Sequence, residues 1–318
     1  MKILVTGTAG FIGMHVAQEL LAQGHQVVGI DNFNDYYQVS LKRDRWARIE
    51  GHENFRGVEM NFVDGDALNA LFAEEKFDRV CHLAAQAGVR YSLENPHVYQ
   101  ETNLHGFLNI LEACRHNEIP RLVYASSSSV YGGNKEMPFT EKDNVDRPIS
   151  LYAATKKANE LMAHAYSHLY GFEAVGLRFF TVYGPWGRPD MALWLFAKAM
   201  ANGDSFDVFN NGDMQRDFTY IDDIVQGTIA SIFAEDLDPF EVFNLGNHTP
   251  ERLMDMIQTL ADAMGVEPKM NMLPMQPGDV PATYANIDHA KAKLGYEPTT
   301  PIKVGIPQFA EWFKSYHS

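Results

Sequence analysis

Seven residues near the start, Gly7-Thr8-Ala9-Gly10-Phe11-Ile12-Gly13, decide what the rest of this chain has to build. They follow a short apolar run at 2–6 and open an amphipathic stretch at 11–23. A glycine-spaced turn between strand and helix lets backbone N–H groups close on an anion at the positive helix end. Such a turn belongs to a βαβ unit, and a βαβ unit needs a parallel sheet around it. Further strand candidates lie at 26–30, 56–61, 78–83, 121–126 and 173–178. Several are almost continuously apolar, as strands covered on both faces are. Helical patterns at 66–75 and 96–117 fall between them. The expected class is α/β, a Rossmann-type doubly wound parallel sheet.

The second strand candidate ends in Asp31, 18 residues after Gly13, with Asn32 next. A carboxylate at that strand tip accepts hydrogen bonds from a ribose 2′-OH and repels a 2′-phosphate. No arginine follows it directly, so NAD is the expected cofactor, held by Gly7, Gly10, Phe11, Ile12, Gly13, Asp31 and Asn32.

After about residue 182 the alternation stops and glycine and proline become frequent, as in Gly184-Pro185-Trp186-Gly187-Arg188-Pro189. This predicts a nucleotide-binding domain at 1–181 and a smaller mixed α/β substrate lobe at 182–318. Some segments of the second lobe should return to the first domain. Ligands of such sheets bind beyond the carboxyl ends of the strands, which puts the site in the cleft between the lobes.

With 41 acidic and 26 basic residues the net charge is −15, which disfavours nucleic acid and anionic membranes as partners. Neither a leader nor a membrane span is expected, and Cys81 and Cys114 read as buried thiols, which together suggest a cytoplasmic protein. No metal site is expected: His164 and His168 are spaced for one helix face but lack further ligands. The basic run Lys42-Arg43-Asp44-Arg45-Trp46-Ala47-Arg48 is expected to be a solvated helix face.

Tyr152 and Lys156 are four apart in a helical stretch and share one face. A neighbouring ammonium favours the phenolate and makes the tyrosine a usable base at neutral pH. Four serines, Ser126 to Ser129, stand at the end of the fifth strand candidate, before Val130-Tyr131-Gly132. One hydroxyl there is expected to touch the reacting oxygen.

The glycine turn, the serines and the Tyr-Lys pair, in this order, resemble the extended short-chain dehydrogenase/reductase family of nucleotide-sugar epimerases and dehydratases. The resemblance covers essentially the whole chain. It implies that Asp66 and Ala67 contact adenine, that Leu83, Ala84 and Ala85 line the cofactor, and that Asn103 supports the site. It makes Ser127 the catalytic serine beside Tyr152 and Lys156. It also implies a homodimer formed through the helices at 96–117 and 151–170.

Dehydratases of the family carry an Asp-Glu pair where this chain has Ser128 and Ser129, and a serine hydroxyl cannot replace that acid and base. Epimerisation needs neither, because the 4-keto sugar turns over and takes its hydride back on the other face. Arg216 resembles the family's diphosphate ligand, and Asp279 a ribose contact of UDP-sugar enzymes. Galactose-type epimerases often have an arginine at the position of Gln276. The segments Gly88-Val89-Arg90-Tyr91-Ser92 and Thr181 to Ala192 resemble the branch that epimerises UDP-glucuronate at C4. That implies Arg188 as the carboxylate contact, helped by Ser128, Ser129 and Thr181, with Arg90 in reserve. The alternatives are a neutral UDP-hexose or UDP-N-acetylhexosamine 4-epimerase, and a non-catalytic NAD-binding regulator.

Overall fold

The computed structural model describes residues 1–275 and 281–317. Strands β1 (Lys2–Thr6), β2 (Gln26–Asp31), β3 (Phe55–Glu59), β4 (Arg79–His82), β5 (Arg121–Ser127) and β6 (Glu173–Phe179) join Phe240–Leu245 in one parallel sheet. Its order is β3-β2-β1-β4-β5-β6, then Phe240–Leu245 at the edge. Side chains alternate between faces along a strand. Ile3 and Val5 therefore enter one core, whereas Leu4 joins Val28 and Ile30 in the other. Helices cover both faces, among them α1 (Phe11–Ala22), α2 (Val39–Glu50) and α3 (Gly65–Glu75).

The chain builds outward from β1 to β3 and then crosses back to β4, so the strand order reverses between β1 and β4. A crevice opens at that reversal, beyond the carboxyl ends of the strands. Gly7 and Ala84 meet there, and a Cβ on Gly7 would stand 2.9 Å from the Ala84 nitrogen. Gly13 is tighter still: its Cβ would lie 2.1 Å from the Gly7 carbonyl oxygen. Close packing of the turn on α1 thus requires glycine.

Three small sheets build the other wall of the cleft. Thr181–Tyr183 pairs with Phe218–Tyr220, Ser205–Val208 with Lys269–Met272, and Gln215–Arg216 with both Glu251–Arg252 and Ala282–Thr283. The strand Phe240–Leu245 comes from this half of the sequence but hydrogen-bonds to β6.

The helical pattern at 96–117 has a different centre from the one its periodicity predicts. One α turn, Pro96–Tyr99, passes into a π segment, Gln100–Gly106, before the α-helix Phe107–His116. Within the widened turn the Asn103 carbonyl accepts from Asn159 Nδ2 at 2.7 Å. No helix among the described residues is long and apolar enough to cross a membrane.

Candidate active site

The crevice opens into a cleft of about 1090 Å³ that runs from the glycine turn to the small sheets. Gly7, Gly10, Phe11, Ile12 and Gly13 line one end, with Asp31 and Asn32 beside them. Among the described residues no side chain caps the N-terminus of α1, so its positive end suits an anionic ligand. The Asp31 carboxylate accepts from the Ala9 N–H at 3.1 Å and the Phe33 N–H at 2.9 Å, which fixes it at the strand tip. Burial raises its pKa, and these two bonds act against that. Each oxygen keeps a lone pair for a ribose hydroxyl. A close glycine cradle, an uncapped helix end and a fixed carboxylate together fit a dinucleotide.

Leu83, Ala84 and Ala85 continue this wall. His82 fixes their approach: its Nδ1 pairs with the Thr6 hydroxyl at 2.8 Å, and the same hydroxyl oxygen accepts from the Ala84 N–H at 3.0 Å.

Three of the residues named for the cofactor are not among those that line the cleft. Asp66 and Ala67 are exposed in the first turn of α3, outside the cleft lining. The Ala67 N–H is already taken by the capping carboxylate of Asp64. Asn103 is buried behind the lining, where its amide exchanges two bonds with the Gln86 backbone and donates to Thr155. It fixes a lining loop to the helix that carries Tyr152.

That helix, Leu151–Tyr170, starts at Ser150, whose hydroxyl accepts from the Ala153 N–H. Tyr152 therefore sits in the first turn, where the helix dipole favours a phenolate. Burial raises the pKa of Tyr152, while the Arg188 charge and a hydrogen bond from Ser127 pull it down. Lys156 is buried, its ammonium donates to the Ala125 carbonyl at 2.9 Å, and burial lowers its pKa to about 8. Arg188 is a further cation that acts on Tyr152, and Lys156 lines the same cleft one helix turn on.

The serine run is divided by its partners. Ser126 donates to the buried Glu160, which in turn holds Arg178 through two bonds of 2.8 and 2.9 Å. Ser127 faces the cleft, where its oxygen accepts from the Ser129 N–H and hydroxyl and its own proton is left for Tyr152. Ser128, Ser129 and Thr181 line the same region.

Arg188 joins them. Asp190 grips its Nε and Nη2 edge at 3.0 and 2.5 Å, and the Tyr36 hydroxyl donates to Asp190 at 3.0 Å. The Tyr36 hydroxyl also acts on Arg188, so Asp190 and Tyr36 together hold the guanidinium at the cleft lining. Asp190 and Tyr36 were not expected at the site. The only sequence signal for Asp190 was its place two residues after Arg188.

At the far end, Arg216 lines the cleft with Phe206, Phe209, Met214 and Phe218. Arg90 is exposed at the rim, its guanidinium 5.4 Å from the Phe209 ring centre. Asp279 and Gln276 lie outside the described residues.

The sequence profile of a family described as NAD dependent epimerase/dehydratase matches residues 3–246. UDP-glucuronate 4-epimerase 4 of Arabidopsis thaliana is 49% identical, over 100% of this chain and 76% of its own length. The solved UDP-glucuronic acid 4-epimerase of Bacillus cereus, in complex with UDP-glucuronic acid and NAD, is 36% identical with a TM-score of 0.94, covering 99% of this chain and 100% of that one. UDP-glucose 4-epimerase of Thermotoga maritima, solved with UDP-glucose, superposes with a TM-score of 0.90 at 29% identity, covering 100% of both chains.

Proposed function

Because the chain belongs to the NAD dependent epimerase/dehydratase family, we propose that it interconverts UDP-glucuronate and UDP-galacturonate through a 4-keto sugar. Backbone likeness alone does not choose the sugar, since both uronate and neutral-sugar enzymes superpose well. The observation that carries the uronate reading is Arg188. It lines the cleft within electrostatic reach of Tyr152, and Asp190 holds it through two bonds. The neighbouring Ser128, Ser129 and Thr181 supply neutral donors to the same carboxylate.

NAD, when bound, supplies a reversible hydride acceptor. The chain supplies the rest. Tyr152 takes the proton from the C4 hydroxyl and later returns it. The Ser127 hydroxyl donates to the reacting oxygen and steadies charge on it. Lys156, held on the Ala125 carbonyl one helix turn beyond Tyr152, would hold the cofactor and keep a positive charge near the phenol. Arg216 binds the diphosphate as a planar fork, which suits phosphate oxygens. Since Asp190 largely neutralises Arg188, the arginine acts on the uronate mainly by fixing its direction. That matters because a 4-keto uronate is a β-keto acid and loses CO₂ when its carboxylate bond aligns with the carbonyl π system.

The protein is proposed to act as a cytoplasmic homodimer. The helices at 96–116 and Leu151–Tyr170 support this, because they leave Leu108, Leu161, Leu169 and Tyr170 exposed. Sedimentation at micromolar concentration checks it. For the activity itself, the protein is incubated with UDP-glucuronate and the products are separated. UDP-galacturonate is expected, and conversion of UDP-glucose alone would transfer the assignment to the neutral sugars.

A further inference from the structure

The basic run at 42–48 is only in part the solvated face that its charge pattern predicts: Arg43, Asp44, Ala47 and Arg48 are exposed. Arg45 is completely buried, and Lys42 nearly so. Every polar edge of Arg45 is used. Its Nε donates to the Trp186 carbonyl at 3.0 Å and its Nη2 to the Gly187 carbonyl at 2.7 Å. Its Nη1 donates to the Ala9 carbonyl at 3.3 Å and to the Tyr37 hydroxyl at 2.7 Å. No ion pair to Arg45 is present among the described residues, so backbone dipoles and a phenol hold this buried charge.

Burying a guanidinium with no carboxylate in direct contact is costly even with the Asp31 charge within electrostatic reach, and an apolar side chain would suit the core better. What the arginine does there follows from what it holds. Trp186 and Gly187 immediately precede Arg188. Trp186 has a φ of +62°, a conformation uncommon for a bulky residue that must be held from outside. Arg45 grips the carbonyls of Trp186 and Gly187 with a planar fork that no other side chain offers. The third contact, Ala9, lies inside the glycine turn of the cofactor site.

We propose that Arg45 is a positioning residue for uronate recognition: from α2 it clamps the Trp186–Gly187 turn against the glycine turn, and so sets where Arg188 meets the sugar carboxylate. The clamp rests on the reading of Arg188 given above. It adds that the discrimination between uronate and neutral sugar depends on a buried residue that does not line the cleft. α2 holds the same turn at a second point, with the Arg48 guanidinium 5.1 Å from the Trp186 ring centre. A misplacement of about 1 Å at a site group is enough to cost up to about a hundredfold.

The test is a double-mutant cycle of Arg45→Gln with Arg188→Ala, read by dissociation constants for UDP-glucuronate and UDP-glucose and by the share of UDP-pentose in the products. Arg45→Gln is expected to weaken UDP-glucuronate about tenfold and UDP-glucose less than about threefold, and to raise the UDP-pentose share. In the Arg188→Ala background the same change should weaken UDP-glucuronate by less than about twofold, because its effect passes through Arg188. Equal weakening of both ligands, or effects that simply multiply, overturns the clamp. If Arg188→Ala itself shows no uronate-specific loss, the reading of Arg188 has failed and the clamp falls with it, a pattern distinct from the other two. Should Arg45→Gln not fold, as judged by its melting transition, Tyr37→Phe removes one acceptor and keeps the charge. It should shift the ligand ratio in the same direction by a smaller factor, and an unchanged ratio there overturns the proposal.

Discussion

Replacing Arg188 by alanine separates two effects that the structure assigns to one side chain. The first depends on the substrate. A desolvated carboxylate that loses its charged partner costs about 2–5 kcal/mol. The Arg188 side chain keeps 25% of its exposure and is paired with Asp190, so the low end applies. About 2 kcal/mol corresponds to a roughly thirtyfold weaker dissociation constant for UDP-glucuronate. UDP-glucose, with a hydroxyl in place of the carboxylate, should weaken by less than about threefold. The second effect is independent of the sugar. The Arg188 charge lowers the pKa of Tyr152, so its removal raises that pKa, and the acid limb of kcat moves to higher pH. Titration calorimetry with both nucleotide sugars, together with initial rates on UDP-glucuronate across pH, measures each effect. A looser carboxylate should also add UDP-pentose to the products. Equal weakening of both ligands, with no added decarboxylation, would refute the reasoning and assign Arg188 to the fold or the diphosphate.

Three further changes test other parts of the site. Tyr152→Phe removes the proton acceptor and should lower turnover by about 10² or more with NAD still bound, as read by rates and cofactor retention. Asp31→Ala frees the Ala9 and Phe33 N–H groups and removes the carboxylate at the ribose. NAD should bind less tightly and the NAD to NADP affinity ratio should fall, whereas an unchanged ratio means that Asp31 does not face the ribose. His82 is buried and held neutral, its pKa lowered from 6.5 to about 3 by burial. The unfolded chain therefore binds a proton that the folded one refuses as pH falls below about 6.5, and stability is lost in that window. By pH 5 the loss from His82 is about 2 kcal/mol, measurable as a fall in denaturant midpoint that His82→Gln should reduce.

What the sequence made legible was local. The glycine turn, Asp31 at its strand tip and Tyr152 in the first turn of its helix depend on neighbours a few residues away. The strands 2–6, 26–30 and 121–126 accordingly agree with β1, β2 and β5 to within a residue. What stayed hidden depends on partners distant in the chain. Nothing around Arg45 in sequence shows that carbonyls 141 and 142 positions later will bury it. The spacing of Lys156 likewise does not show that the Ala125 carbonyl, on another strand, will hold its ammonium. Asn103 falls in a regular helical pattern, yet the backbone there widens into a π turn to serve Asn159 and Gln86. Asp66 and Ala67 were carried over from family likeness rather than read from a local pattern, and both are exposed.

The central claim is that one hydrogen leaves sugar C4 and returns to the same carbon on its other face within a single closed cleft. UDP-glucuronate carrying deuterium at C4 tests it most directly, with the UDP-galacturonate product examined by mass and proton NMR. The account predicts that the product keeps the deuterium at C4 in ordinary water. A product with solvent hydrogen at C4, or no UDP-galacturonate at all, would contradict it.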